Sequence, residues 1–149
     1  MISQRVSNPD LLLALMKLRN EVRSFMTGSQ DAIIWENQIK WFSELDHDLV
    51  KIWLYGEENG KWLGYGQLRI EPGNISYGVT THAVTSSARG MGYGEKILKH
   101  LIEMAKDSGC NYMRAEIFKT NAASLGLVHK LGYVDTEDLG DAVEVKLPL

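Results

Sequence analysis

Between Ile75 and Ala105 the chain passes from an apolar, β-prone stretch ending at Val84, through Arg89-Gly90-Met91-Gly92-Tyr93-Gly94, into a helical face. That face is built by Ile97, Leu98, Leu101, Ile102 and Ala105, at one-, three-, four- and eight-residue spacings. A strand that turns through glycines into a helix leaves the first backbone N–H groups of that helix unpaired. Those donors, with the positive end of the helix dipole, make a seat for a pyrophosphate. The glycines let the backbone approach the anion where a β-carbon would obstruct it.

Spacing separates three phosphate-binding patterns. A Walker A loop requires a Gly-Lys-Ser/Thr ending, and Gly94 is followed by Glu95-Lys96-Ile97. A dinucleotide fingerprint requires G-x-G-x-x-G, whereas Gly90, Gly92 and Gly94 are spaced G-x-G-x-G. The remaining pattern, Q/R-x-x-G-x-G/A, fits Arg89-x-x-Gly92-x-Gly94. It is the acyl-CoA pyrophosphate loop of the GNAT superfamily of N-acyltransferases, which this chain resembles. Downstream, Asn121-Ala122-Ala123-Ser124 and Lys130-Leu131-Gly132-Tyr133 are similar to the second block of that superfamily. The resemblance extends over essentially the whole chain and is specific from Ile75 to Tyr133. It implies a mixed α/β fold of one domain over residues 1–149. The implied sheet is twisted and mostly antiparallel, with six to seven strands flanked by about four helices. Its fourth and fifth strands splay apart beyond a bulge.

The rest of the sequence fits one domain with a proper core: 44% of the residues are hydrophobic and 23% charged. A formal net charge of −3 gives no basic footprint for nucleic acid. Cys110 is the only cysteine, so neither an internal disulfide nor a cysteine-based zinc site forms, which suits a reducing cytoplasm. His47, His82, His100 and His129 are scattered, and no metal site is expected. Leu11 to Met16 is too short to span a membrane and is followed by Lys17 and Arg19. Leu11, Leu15, Leu18, Val22 and Phe25 instead mark one face of a helix from Pro9 to about Phe25, N-capped by Asn8. A second helix is expected from about Ala32 to Phe42. Strands are predicted at Ile2–Val6, Val50–Tyr55, Trp62–Ile70, Tyr112–Ile117, Tyr133–Val134 and Ala142–Lys146, with Asn59-Gly60 as a hairpin turn. Helix 92–108 stops at Gly109, and another runs from Asn121 to Leu131.

The resemblance implies acetyl-CoA as co-substrate. Arg89, Gly90, Met91, Gly92, Tyr93 and Gly94 would hold its pyrophosphate. The Val84 backbone would pair with pantetheine and help to polarise the thioester carbonyl. Asn121 would bond the pantetheine arm, or N-cap a helix, or both, and Ser124 would face the same channel. An attacking amine must lose a proton. The family positions for a base on the fourth strand are here Gly78 and Thr80, which cannot act as one. Alternation along a strand puts Gly78, Thr80, His82 and Val84 on one face unless a bulge intervenes. His82 is therefore the candidate base, set against a packed strand histidine; Glu116 and Glu71 are weaker candidates. The family often places a tyrosine acid seven residues after the asparagine, where this chain has Val128. Tyr133, Tyr77 or a water could replace it, or CoA leaves as the thiolate.

The acceptor side is read from Leu18-Arg19-Asn20-x-x-Arg23-x-x-Met26 followed by Ile34, Gln38, Trp41 and Phe42. This resembles the amino-sugar-nucleotide and ribosomal-protein N-terminal branches of the superfamily. Arg19 and Arg23, with Asn20 between them, could answer a nucleotide diphosphate, and Trp41 or Trp35 could stack on a base or sugar face. Against that, Trp41 and Phe42 are equally read as core and Arg23 as a surface group. The acceptor is thus expected to be a small-molecule amine on a nucleotide-linked sugar. A protein N-terminus, with Asp31, Glu36 and Glu71 holding its amine, and a non-catalytic acyl-CoA-binding module stay open. So does a homodimer.

Overall fold

The computed structural model describes residues 1–23 and 31–149. In chain order the elements are β1 (Ile2–Arg5), α1 (Pro9–Val22), α2 (Trp35–Glu44), β2 (Val50–Gly56) and β3 (Trp62–Glu71). There follow β4 (Tyr77–Val84), α3 (Tyr93–Asp107), β5 (Tyr112–Phe118), α4 (Ala122–Lys130), β6 (Val134–Asp138) and β7 (Ala142–Pro148). The seven strands form one sheet in the order β1-β2-β3-β4-β5-β7-β6, antiparallel except for the parallel β4–β5 pair. No helix among the described residues is long and apolar enough to cross a membrane.

Local chemistry sets the helix ends. Asn8 accepts the Leu11 N–H at 2.9 Å and Pro9 occupies the first turn of α1, whose Leu11, Leu12, Leu15, Leu18 and Val22 are buried. The expected extension of this helix to Phe25, and Met26 beyond it, lie outside the described residues. At the other end of α3, Gly109 has φ 83°, and Cys110 and Gly109 donate to Ala105 and Lys106, which closes a Schellman cap. The second helix begins at Trp35, three residues later than Ala32 predicted. The Asn20 side chain explains the delay, because it binds both the N–H (2.6 Å) and C=O (3.0 Å) of Ile33 and holds that residue outside the helix.

The two faces of the sheet carry separate cores. α3 and α4 cover one, with Leu68, Ile97, Leu98, Leu101, Met113 and Val145 at its centre. α1 and α2 cover the other through Leu15, Leu18, Ile52, Leu54 and Tyr65. Gly66 is closely packed on the first face, where a β-carbon would lie 3.0 Å from Ile97, Leu101 and Tyr55. The β3–β4 register runs unbroken from Glu71↔Tyr77 to Gly64↔Val84, so the bulge expected in β4 is absent. β5 nevertheless diverges. It pairs with β4 only at Tyr77↔Tyr112 and Gly78↔Met113, and the strands part beyond that point. The splay therefore comes from the departure of β5 rather than from a kink in β4.

Candidate active site

The gap between β4 and β5 is edged by main-chain groups. Thr85 N–H donates to Leu63 on the β3 side at 2.8 Å. By antiparallel alternation the N–H and C=O groups of Thr80, His82 and Val84 then point into the gap, where β5 no longer reaches them. An extended pantetheine arm needs such an unpaired strand edge, so the residues present fit it. The gap opens into a cleft of about 340 Å³ lined by His82, Glu116, Ser124, Val128 and Tyr133.

At the upper end of the gap the glycine loop takes the predicted shape. Gly90 and Gly92 have φ of 74° and 81°, in the left-handed region that β-carbons disfavour. Gly92 is the N-cap of α3 and supplies no side-chain cap. The N–H groups of the first turn, including Tyr93, Gly94 and Glu95, thus start a helix with nothing from the cap to bind them. A β-carbon on Gly90 or Gly92 would meet nothing within 4 Å, and one on Gly94 would make ordinary contact 3.8 Å from His82 Nε2. Protein packing does not call for these glycines; open space in front of the donors does suit an anion. Met91 is exposed, Tyr93 is buried, and the Lys96 ammonium lies 5.6 Å from the Tyr93 ring centroid. Glu95 would repel a phosphate there, but Lys99 (3.3 Å) and Lys130 (3.0 Å) draw its carboxylate away and hold its pKa below the usual range. Arg89 ends the 3₁₀ turn Ser86–Ala88 immediately before the loop.

Asn121 is the N-cap of α4, its Oδ1 accepting the Ser124 N–H at 3.1 Å. The cap uses the oxygen and leaves the Nδ2 donors for a ligand, so both roles proposed for Asn121 fit one rotamer. Ser124 lines the cleft. Tyr133 is buried against its floor, and burial pushes its phenol well above the ordinary value, so it stays protonated.

The two candidate bases are divided between the faces of the sheet. With β4 free of a bulge, Gly78, Thr80, His82 and Val84 share the α3 face, and His82 Nε2 lies beside Gly94. Burial lowers the His82 pKa, so its imidazole is neutral at pH 7. Glu116 lies on the opposite face. Its neighbour Ala115 pairs with Val145 in the α3-side core, while Glu116 itself accepts from Arg114 at 2.6 Å. Arg114 also binds Glu144 at 2.8 Å, and the two carboxylates raise its pKa. Glu71 is tied to Arg69 at 3.2 Å on β3 and does not line the cleft.

Thr81 also lies on the opposite face and lines a second cavity of about 270 Å³ with Leu15, Arg19, Trp41, Ile52, Tyr65 and Gln67. Thr81 borders both cavities, so the second lies against β4 on the side away from the glycine loop. Of the acceptor residues read from the sequence, Arg19 and Trp41 meet here. Asn20 is occupied by Ile33, and Arg23 Nη1 donates back to Asn20 O at 3.1 Å, so the structure does not bring Arg23 beside Arg19 in this cavity. Tyr65, Gln67 and Thr81 were not singled out from the sequence. Strand alternation offered the only signal, and it could not say which face the acceptor would use.

A glycine loop opening a helix, beside a parallel strand pair that separates, defines an acyl-CoA-type transferase scaffold. The chain belongs to the acetyltransferase (GNAT) family, whose model matches residues 14–133. It is 34% identical over 110 residues to the L-amino acid N-acyltransferase MnaT of Escherichia coli K12, covering 70% of this chain and 62% of that protein. A methionine sulfoximine/methionine sulfone acetyltransferase of Salmonella typhimurium matches to the same extent. The chain thus spans less than two thirds of the length of these relatives. Among solved structures, the ribosomal-protein-alanine N-acetyltransferase of Brucella melitensis superposes with a TM-score of 0.80 at 22% identity, covering 100% of both chains. The yncA protein of Salmonella typhimurium, solved with its cofactor acetyl-CoA, gives 0.79 at 22%, covering 100% of this chain and 94% of that one. These likenesses show the GNAT fold.

Proposed function

We propose that this protein is an N-acetyltransferase that brings acetyl-CoA and a small primary amine together across the β4–β5 gap. One observation carries the reading: an unpaired edge of β4 leads straight to a glycine-capped helix N-terminus. Acetyl-CoA supplies a thioester whose acyl group an amine can take, with CoA leaving as the thiol or thiolate. The chain supplies position, which alone can contribute several kcal/mol to the acceleration. The first turn of α3 holds the pyrophosphate; the β4 edge and Asn121 Nδ2 hold the arm. The amine enters from the Arg19 cavity past Thr81. Glu116, on the acceptor face of the gap, receives its proton directly or through water. His82, on the cofactor face, lies beside the thioester end, and the protonated Tyr133 stands ready for the departing sulfur.

The acceptor is an amino acid or close analogue, as in the two curated relatives. A nucleotide-linked amino sugar is the second reading, favoured by the Arg19-Asn20…Arg23…Trp41-Phe42 pattern. The test is CoA release from acetyl-CoA against L-amino acids including methionine sulfone, UDP- and dTDP-linked amino sugars, and N-terminal peptides. Cys110 is buried, so the thiol readout reports the released CoA. Turnover with one class assigns the acceptor. CoA binding with no turnover across the panel would refute the transferase reading.

A further inference from the structure

Arg19 is a half-buried cation with no carboxylate beside it among the described residues. Its Nη1 donates to Gln38 Oε1 at 2.9 Å, and its guanidinium carbon lies 4.7 Å from the centroid of the Trp41 ring. The Tyr65 phenol is its other neighbour. All three partners are neutral, and residues 24–30, Ser-Phe-Met-Thr-Gly-Ser-Gln, contain no acid that could complete the pair. Burial lowers the Arg19 pKa, the direction expected of a cation deprived of water without a counter-ion. A buried charge is ordinarily paired, because desolvating it alone is costly.

Gln38 adds an independent sign. It is 1% exposed, and its Nε2 finds no hydrogen-bond partner among the described residues. Buried polar atoms are almost always satisfied, so an orphaned donor beside a cation with no carboxylate partner among the described residues is consistent with a place for an acceptor atom of a ligand. Arginine presents its donors in a fork that matches a carboxylate. Among the described residues, the Arg19 cavity is lined by one guanidinium and no second cation. It thus suits a single negative charge better than a diphosphate.

We propose that Arg19, oriented by Gln38 and Trp41, receives a carboxylate of the acceptor and thereby selects amines that carry one. This rests on the transferase reading above. The carboxylate end binds at Arg19 while the amine end passes Thr81 to the gap.

The experiment compares L-amino acids, L-methionine sulfone among them, with their carboxamides, and adds the nucleotide-linked amino sugars. Acceptor KM and kcat are measured for wild type, Arg19→Gln and Gln38→Glu, with calorimetric acceptor binding in the presence of CoA as a readout independent of turnover. Wild type should prefer acid to amide by about 10- to 100-fold in KM, as expected for a hydrogen-bonded charge. Arg19→Gln should abolish that preference with kcat and CoA affinity little changed. Gln38→Glu supplies an internal counter-ion. It should keep or raise the melting temperature while raising KM for the acid, which separates lost recognition from lost folding. Equal use of acid and amide by wild type would overturn the proposal and leave the transferase reading intact. Turnover confined to nucleotide-linked sugars would also overturn it. Arg19-dependent binding of the acid without turnover would support the proposal and refute the transferase reading; no binding and no turnover would overturn both.

Discussion

Alanine at Gly92 and at Gly94 should separate the conformational role of the loop from its ligand role. At Gly92 φ is 81° and an added β-carbon meets nothing within 4 Å, so the cost to the protein alone is torsional, about 1–2 kcal/mol. In a chain of this size that lowers Tm by about 2–8 °C. Gly94 lies within the first turn of α3 without a positive φ, and its β-carbon would make only ordinary contact, 3.8 Å from His82 Nε2. Alanine there should stabilise the fold by about 0.5–1 kcal/mol, because glycine loses more backbone freedom on folding. On the proposed placement of the pyrophosphate, an added β-carbon at either position should nevertheless hinder its approach to the first-turn N–H groups. Losing one hydrogen bond to a charged group weakens binding by about 1.5–3 kcal/mol, or roughly 10- to 100-fold. Thermal melting and calorimetric CoA titration of the two variants give the answer. Gly94→Ala should melt at or above the wild-type temperature and bind CoA poorly, whereas Gly92→Ala should lose both. A Gly94→Ala protein with wild-type CoA affinity would refute the placement of the phosphates.

Asn121→Asp keeps the oxygen that caps α4 and removes the Nδ2 donors, so it should preserve Tm while weakening CoA binding. Asn121→Ala should cost about 1 kcal/mol of stability as well, and equal CoA affinity in all three proteins would leave the residue a cap only. Gly66→Ala forces a β-carbon to within 3.0 Å of Ile97, Leu101 and Tyr55, and overpacking should destabilise by about 1–3 kcal/mol in a denaturant titration. His82 and His100 are both held below their ordinary pKa of 6.5 by burial. Below about pH 6.5 the unfolded chain therefore takes up protons that the folded chain refuses. The stability they contribute is complete above that pH and is lost as pH falls through the lowered values. Melting at intervals from pH 7.5 downward should show this decline, shallower in His100→Gln; stability that rises toward pH 5.5 would contradict it.

The order of elements was legible because each rests on a short-range rule. Asn8-Pro9 starts a helix, Gly109 ends one, Asn59-Gly60 turns a hairpin, and the apolar spacing around Ile97 exposes a buried face. Ends that depend on distant contacts were less legible. The delayed start of α2 depends on Asn20 gripping Ile33 across thirteen positions of chain. The four residues 135–138, beyond the predicted strand Tyr133–Val134, are exposed throughout, so no apolar pattern marked them; pairing with β7 makes them part of a strand.

By itself the sequence determined a glycine-capped helix after a strand, with first-turn N–H groups that no side chain caps, because φ preference and unpaired N–H groups are properties of a few consecutive residues. It also determined that Gly78, Thr80, His82 and Val84 share a face, since alternation needs only a regular strand. Tertiary structure decided which face that is, and it placed His82 beside the glycine loop and Glu116 on the opposite face. It decided too that Arg19, Trp41, Tyr65 and Thr81 meet in one cavity, with Gln38 bonded to Arg19. Those residues come from α1, α2, β3 and β4, and only long-range packing on the second face of the sheet brings them together. No local pattern can record that the charge of Arg19 ends up half-buried among neutral neighbours within the described residues.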